Sequence, residues 1–86
     1  MMRLSVEEVG SGLHPSETVV VIKAVHGQER LTISKRSISH GSIEVGWPLR
    51  EEGDRMLVEL PRETQDGAWR IWVDRAQLVE PERLRA

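Results

Sequence analysis

Two stretches of alternating polarity in the last third of the chain constrain the fold most strongly. Residues 55–60 and 69–74 place apolar side chains at every second position, the pattern of β-strands with one buried face. Directly opposite residues of an antiparallel pair share a face, so only some registers bring the two apolar sets together. The sequence therefore predicts a long hairpin between residues 55 and 79 that closes a small barrel.

One register of this hairpin satisfies both faces at once. Its inner pairs are Leu60–Trp69, Val58–Ile71 and Met56–Val73, and its outer pairs are Glu59–Arg70, Leu57–Trp72 and Arg55–Asp74. A slide by two residues sets Leu57 against Arg70 or Asp74 and loses this match of charges and apolar groups. We therefore predict the first register.

Short strands and tight turns are predicted for the rest of the chain. Val and Ile together outnumber Leu, which favours strands, and no window shows helical periodicity. Strands at 3–9, 18–26 and 29–34 are indicated, with a two-residue Gly27-Gln28 turn that pairs His26 with Glu29. A second tight turn at His40-Gly41 would set Ile38 against Ile43, since histidine tolerates positive φ.

These elements predict an all-β fold, a small antiparallel barrel of five to six strands with one short helical turn near residues 75–78. At 86 residues the chain is long enough for one domain. We assign residues 1–80 to a single β-barrel domain. Residues 81–86 are charged, and we expect them to form a frayed tail.

The segment from Trp69 to Val79 resembles the closing part of Src-homology-3-like barrels. There, a strand with Trp or other aromatic residues runs into a one-turn helix and a short last strand, and residues 73–79 are similar in spacing. The resemblance implies a fold and not a function. Peptide-binding members carry proline at the position of Arg75 and tyrosine at that of Leu78, so a groove for proline-rich peptides is not implied here.

Composition and motifs exclude several classes of function. The net charge of −2 is evenly spread, which argues against a general polyanion binder, and the absence of Cys excludes thiolate chemistry. The chain has no phosphate-binding loop, no Gly-x-Ser-x-Gly elbow and no metal-ligand spacing among its three isolated histidines. We therefore expect a protein that is not an enzyme, with no cofactor, no metal and no evident small-molecule site.

No stretch approaches membrane-spanning length, and the first residues lack a basic region followed by an apolar run. We expect no membrane association and a cytoplasmic location.

Two apolar residues on the outer face of the hairpin, Leu57 and Trp72, are candidate protein-binding residues. An outward Trp beside a Leu is either a contact site or a patch covered by the N-terminal segment or the tail. Trp47 is a third candidate, because the following Pro48 holds it in an extended loop.

A local excess of positive charge is the alternative site. The segment from residue 30 to residue 43 contains Arg30, Lys35, Arg36 and His40 but no acid. Such a segment suits weak nucleic-acid binding, although stacking aromatics are few. The competing interpretation is that Lys and Arg protect a sheet edge from pairing with other chains.

Three function classes therefore stay open. The first is a non-enzymatic interaction or accessory domain that binds another protein or itself through an outer sheet face. The second is a weak nucleic-acid-binding barrel, and the third is a non-catalytic small subunit of a larger enzyme.

Overall fold

A computed structural model describes residues 2–12 and 14–79, and these residues form ten short strands and two 3₁₀ turns. The strands are β1 Met2–Ser5, β2 Glu7–Ser11, β3 Glu17–Ala24, β4 Gly27–Ser34, β5 Ile38–Ser39, β6 Ser42–Val45, β7 Arg50–Glu52, β8 Arg55–Glu59, β9 Arg70–Asp74 and β10 Leu78–Val79. The 3₁₀ turns span Lys35–Ser37 and Arg75–Gln77. The prediction of an all-β fold is confirmed, with more and shorter strands than expected. The predicted tail, residues 81–86, lies outside the described residues.

The strands pair antiparallel in three sheets. Their orders are β10-β1-β6-β5, β2-β3-β4 and β7-β8-β9. Within residues 2–12 and 14–79 these ladders stay separate and form no closed barrel. A backbone hydrogen bond joins two of the sheets where Val25 N–H, in the β3–β4 turn, donates to the Trp72 carbonyl of β9 at 2.8 Å.

The β8–β9 hairpin has the predicted register. Its pairs are Arg55–Asp74, Met56–Val73, Leu57–Trp72, Val58–Ile71 and Glu59–Arg70. Beyond β8, Leu60 N–H donates to the Trp69 carbonyl at 2.8 Å, which extends the same register. On the outer face, Arg70 Nε lies 3.1 Å from Glu59 Oε2, so this predicted charge pair is formed.

The inner faces of all three sheets meet in one hydrophobic core. Its buried members are Leu4, Val20, Ile22, Leu31, Ile33, Ile43, Val45, Met56, Val58, Leu60, Ile71 and Val73. Each sheet contributes residues at alternating positions, as expected for strands with one buried face.

The predicted Gly27-Gln28 turn is wrong. The observed turn residues are Val25 and His26, and Ala24 pairs with Gly27. Both pairings keep the same side chains on the inner face, so alternation alone cannot distinguish them. The observed one sets Leu31 against Val20 instead of against the smaller Ala24, and Gly27 leaves the turn with a φ of 144°.

The other predicted turns agree with the structure. Ile38 pairs with Ile43, and both His40 and Gly41 have positive φ, at 54° and 69°. The predicted helical turn is Arg75–Gln77, capped by Asp74, whose Oδ1 accepts from Ala76 N–H at 3.0 Å. An acidic N-cap satisfies a backbone donor at the start of the turn, which explains why the chain turns there.

The first predicted strand, residues 3–9, is divided in the structure. It forms β1 and β2 in two different sheets, and the chain changes sheet at Val6. There, Val6 N–H donates to the Gly41 carbonyl at 3.0 Å, outside both strand ladders. Polarity alternates from Arg3 to Glu7 and is interrupted where Glu8 follows Glu7, directly after the break.

Candidate functional site

The segment between β6 and β7 carries two exposed large apolar side chains, one of which is the most exposed such side chain among the described residues. Trp47 is 62% exposed and Leu49 is 48% exposed. Pro48 between them disfavours a helical backbone at Trp47, but the chain bends at Trp47 and at Leu49, so the extended loop that the sequence predicts there is not formed. Trp47 lines two grooves on the surface. Leu49 lines the first of them and Pro48 lines the second. The predicted candidate Trp47 therefore sits on a ridge between two open grooves.

The first groove lies on the Leu49 side of this ridge and has a volume of about 770 Å³. Its lining includes Arg3, Arg36, Glu44 and Glu59 as well as the apolar residues Leu60 and Pro61. Two basic and two acidic side chains balance there, so the first groove has no net charge.

The side chain of Arg3 is held in place inside the first groove. Its Nε donates to Ser42 Oγ and its Nη2 donates to the Ser42 carbonyl, both at 2.8 Å. Bidentate contacts of this kind orient a guanidinium group. Arg3 therefore has a structural role in joining β1 to β6.

The second groove lies on the Pro48 side and has a volume of about 760 Å³. It runs between the β7–β8 turn and the second 3₁₀ turn, and Met2, Met56 and Leu78 supply apolar surface. Three acidic residues and one basic residue line it: Glu51, Asp54, Asp74 and Arg75. The two grooves therefore share Trp47 but differ in charge.

The two outer-face candidates, Leu57 and Trp72, are brought together as cross-strand neighbours. Both are only partly exposed. The neighbouring rows of the outer face hold the charged pairs Arg55–Asp74 and Glu59–Arg70. Leu57 and Trp72 thus form a small apolar pair between charged rows.

The basic candidates lie on three different parts of the chain. Arg30 lies on β4, whereas Lys35 and Arg36 lie in the first 3₁₀ turn, and Arg30 and Lys35 are about 17 Å apart along an extended chain. His40 occupies the β5–β6 turn. Only Arg36 of these four lines either groove.

The strand edge next to Arg30 is covered by the loop after β8. Gln65 N–H donates to the Arg30 carbonyl at 2.9 Å, and Arg62 Nη1 donates to the Thr32 carbonyl at 3.3 Å. Backbone acceptors of β4 are therefore occupied, which limits pairing with another chain.

A second exposed tryptophan was missed by sequence reasoning. Trp69 is 51% exposed, although its alternation and its partner Leu60 predict a buried side chain. It lies just before β9 at the open end of the hairpin, where its indole N–H donates to Glu63 Oε2 at 2.9 Å. It lines neither groove.

The histidines occupy surface positions, as the sequence suggested. All three are exposed, and His26 Nε2 lies 3.3 Å from Glu29 Oε2. In the part of the chain that the structure describes, no group of three or more His, Asp or Glu side chains is arranged to hold a metal ion. No helix among residues 2–12 and 14–79 is long and apolar enough to cross a bilayer.

Comparison with known proteins gives no relative. No family model matches the chain, and no characterised protein or solved structure shows significant similarity to it. The functions proposed for the candidate sites therefore rest on the chemistry of their residues.

Proposed function

We propose that this protein is a non-enzymatic interaction domain that binds another protein, with Trp47 as the central contact residue. The observation that supports this proposal most strongly is that Trp47 is 62% exposed and lies on a ridge between two grooves. Tryptophan is strongly enriched among residues that dominate binding energy at protein interfaces. A monomeric surface seldom leaves large apolar side chains grouped without a use.

Neighbouring residues support the same surface. Leu49, 48% exposed, lies two positions after Trp47 and shares the first groove with it. Each groove has a volume within the range of protein ligand sites. Partner side chains can therefore enter on either side of the indole ring.

The outer-face pair Leu57–Trp72 is the second contact surface in this proposal. It offers less area than Trp47, because both side chains are partly buried and charged pairs lie in the neighbouring rows. Charged neighbours raise the desolvation cost of covering such a face.

Affinity capture from a native lysate tests the proposal. The bait proteins are the wild type, Trp47→Ala and the matched control Trp69→Ala, all checked for folding by circular dichroism. Both substitutions remove an exposed indole, but only Trp47 lines the grooves. We expect a partner to be recovered with the wild type and Trp69→Ala, and its affinity for Trp47→Ala to fall by about thirtyfold.

Two results would overturn this proposal. One is equal recovery by the wild type and Trp47→Ala, and the other is equal loss with both tryptophan variants. A further variant, Trp72→Ala, separates the two surfaces: loss of the partner with this folded variant alone would move the contact to the outer face.

The two alternative function classes predict that other molecules are captured from the lysate. Weak nucleic-acid binding through Arg30, Lys35, Arg36 and His40 predicts recovered RNA or DNA that is released steeply by salt. A role as a small enzyme subunit predicts co-purification with a catalytic protein. The four basic residues lie on three parts of the chain, and only Arg36 of them lines either groove.

We also propose that the fold is of the Src-homology-3-like class. The order of β9, the second 3₁₀ turn and β10 supports this, since a strand, a one-turn helix and a short last strand follow one another there. An experimental structure whose sheets have a different strand order from that class would remove this proposal.

A further inference from the structure

The second groove has an excess of negative charge, which distinguishes it from the first. Glu51, Asp54 and Asp74 line it, and Arg75 is the one base among its lining residues. Arg75 Nη2 lies 3.6 Å from Glu51 Oε2 and also donates to the Gly53 carbonyl at 3.3 Å. One base cannot balance three acids, so the lining carries a net charge of −2 at neutral pH.

The carboxylates retain acceptor capacity for a ligand. Asp74 uses Oδ1 to cap the 3₁₀ turn, and no hydrogen bond of its Oδ2 is found among the described residues. Asp54 contributes its backbone carbonyl to Arg75 N–H. Arg55, which lies opposite Asp74 on the outer face, is not part of the groove lining. Both aspartates are exposed and accessible.

Apolar surface accompanies this charge. Met2, Met56 and Leu78 line the groove, and methionine adapts its shape to different neighbours. The exposed indole of Trp47 forms one wall, and the face of an indole attracts Arg and Lys side chains. The groove lining thus combines apolar side chains, an indole ring and carboxylates.

We propose that the second groove binds an extended segment of the partner protein in which Arg or Lys alternates with apolar residues. This inference rests on the proposed function and names the chemistry of the partner. Alternation suits the groove because successive side chains of an extended segment point in opposite directions. A nucleic acid is a poor occupant, because its phosphates would face three carboxylates.

Synthetic peptides test this chemistry directly. Three dye-labelled peptides share one length and leucine spacing and carry Arg, Gln or Glu at the alternate positions. Binding to the whole protein is followed by fluorescence anisotropy at about 20 mM and about 150 mM salt. We expect the Arg peptide to bind most tightly, the Glu peptide to bind least, and the difference to shrink at the higher salt concentration. Equal affinities, or preference for the Glu peptide, would overturn the inference.

Substitutions locate the binding on one side of Trp47. The double variant Glu51→Gln, Asp54→Asn removes two charges from the second groove, whereas Glu44→Gln removes one from the first. We expect the double variant to bind the Arg peptide about tenfold more weakly, the effect of two exposed charge pairs. Glu44→Gln should bind like the wild type. An equal loss with both would overturn the assignment to the second groove.

The same variants separate this inference from the proposed function. Each is also used as bait for the captured partner. If Trp47→Ala loses the partner while Glu51→Gln, Asp54→Asn retains it, the protein-binding function stands and the cationic segment is refuted. If Trp47→Ala and Trp72→Ala both retain the partner, the proposed function itself is refuted.

Discussion

Replacement of the buried Glu29 by leucine is expected to stabilise the fold. The Glu29 side chain is 8% exposed and lies opposite the fully buried Ile22. Its Oε2 lies 3.3 Å from His26 Nε2, whereas its Oε1 is buried and has no hydrogen-bond partner among residues 2–12 and 14–79. A buried polar atom without a partner costs about 1 to 3 kcal/mol, and leucine removes that cost at similar volume. We therefore expect Glu29→Leu to raise the free energy of unfolding by about 1 kcal/mol.

Glu29→Leu also removes the contact with His26, and the strength of that contact determines how much stability is lost with it. His26 is 56% exposed, so solvent screens its interaction with Glu29, and 3.3 Å is a long hydrogen bond. We expect His26→Ala to lower the free energy of unfolding by about 0.5 to 1 kcal/mol in the wild type. In the Glu29→Leu background the same substitution should have almost no effect, because its partner is gone.

Urea unfolding followed by tryptophan fluorescence measures all four proteins of this cycle. A change of 1 kcal/mol also moves the Tm of a domain of this size by about 4 to 8 °C. Glu44→Leu serves as control, since Glu44 is exposed and its replacement should change stability by less than about 0.5 kcal/mol. The reasoning is refuted if Glu29→Leu destabilises the protein, or if His26→Ala has the same effect in both backgrounds.

Two further predictions concern packing. Leu4 is fully buried on the strand that pairs with both β6 and β10, so Leu4→Ala should destabilise the protein by about 2 to 5 kcal/mol in urea unfolding; a loss below about 1 kcal/mol would contradict this packing. A Cβ atom at Gly12 would lie 2.6 Å from Glu17 Cβ, whereas one at Gly10 would meet nothing within 4 Å. Gly12→Ala should therefore lower the Tm clearly more than Gly10→Ala, and equal effects of the two would contradict the geometry.

The β8–β9 hairpin shows what sequence alternation can determine. Its register was predictable because two independent faces favoured the same pairing: apolar residues matched inside, and Glu59 matched Arg70 outside. In the β3–β4 hairpin the inner face alone was informative. The predicted register pairs Ile22 with Ile33 and the observed one pairs it with Glu29, a shift of four residues that keeps the same face buried, so alternation alone does not distinguish the two.

Exposure of the tryptophans was harder to predict. Trp69 follows the inner-face alternation, yet it lies beyond the covered end of the hairpin and is 51% exposed. Trp72 lies on the outer face and is nevertheless partly buried. Alternation indicates on which face of a strand a side chain lies. Its exposure also depends on whether another segment of the chain covers that face, which is a property of the tertiary structure.

The grooves could not be predicted either, because a groove also depends on which distant segments pack together. The sequence indicates a non-helical loop at Trp47, because Pro48 follows it, so this candidate could be identified from local sequence although the chain bends there. The second groove, in contrast, gathers Met2, Asp54 and Leu78 from distant parts of the chain. No local sequence pattern predicts a groove whose lining residues come from distant parts of the chain.

Fluorine NMR of the three tryptophans would test the central claim most directly. The chain contains only three Trp residues, so fluorotryptophan labelling gives three signals, which Trp→Phe variants assign. The unlabelled captured partner is then added until binding saturates. We predict that the Trp47 signal changes its chemical shift while the Trp69 signal keeps its own. An unchanged Trp47 signal at saturation would contradict the account.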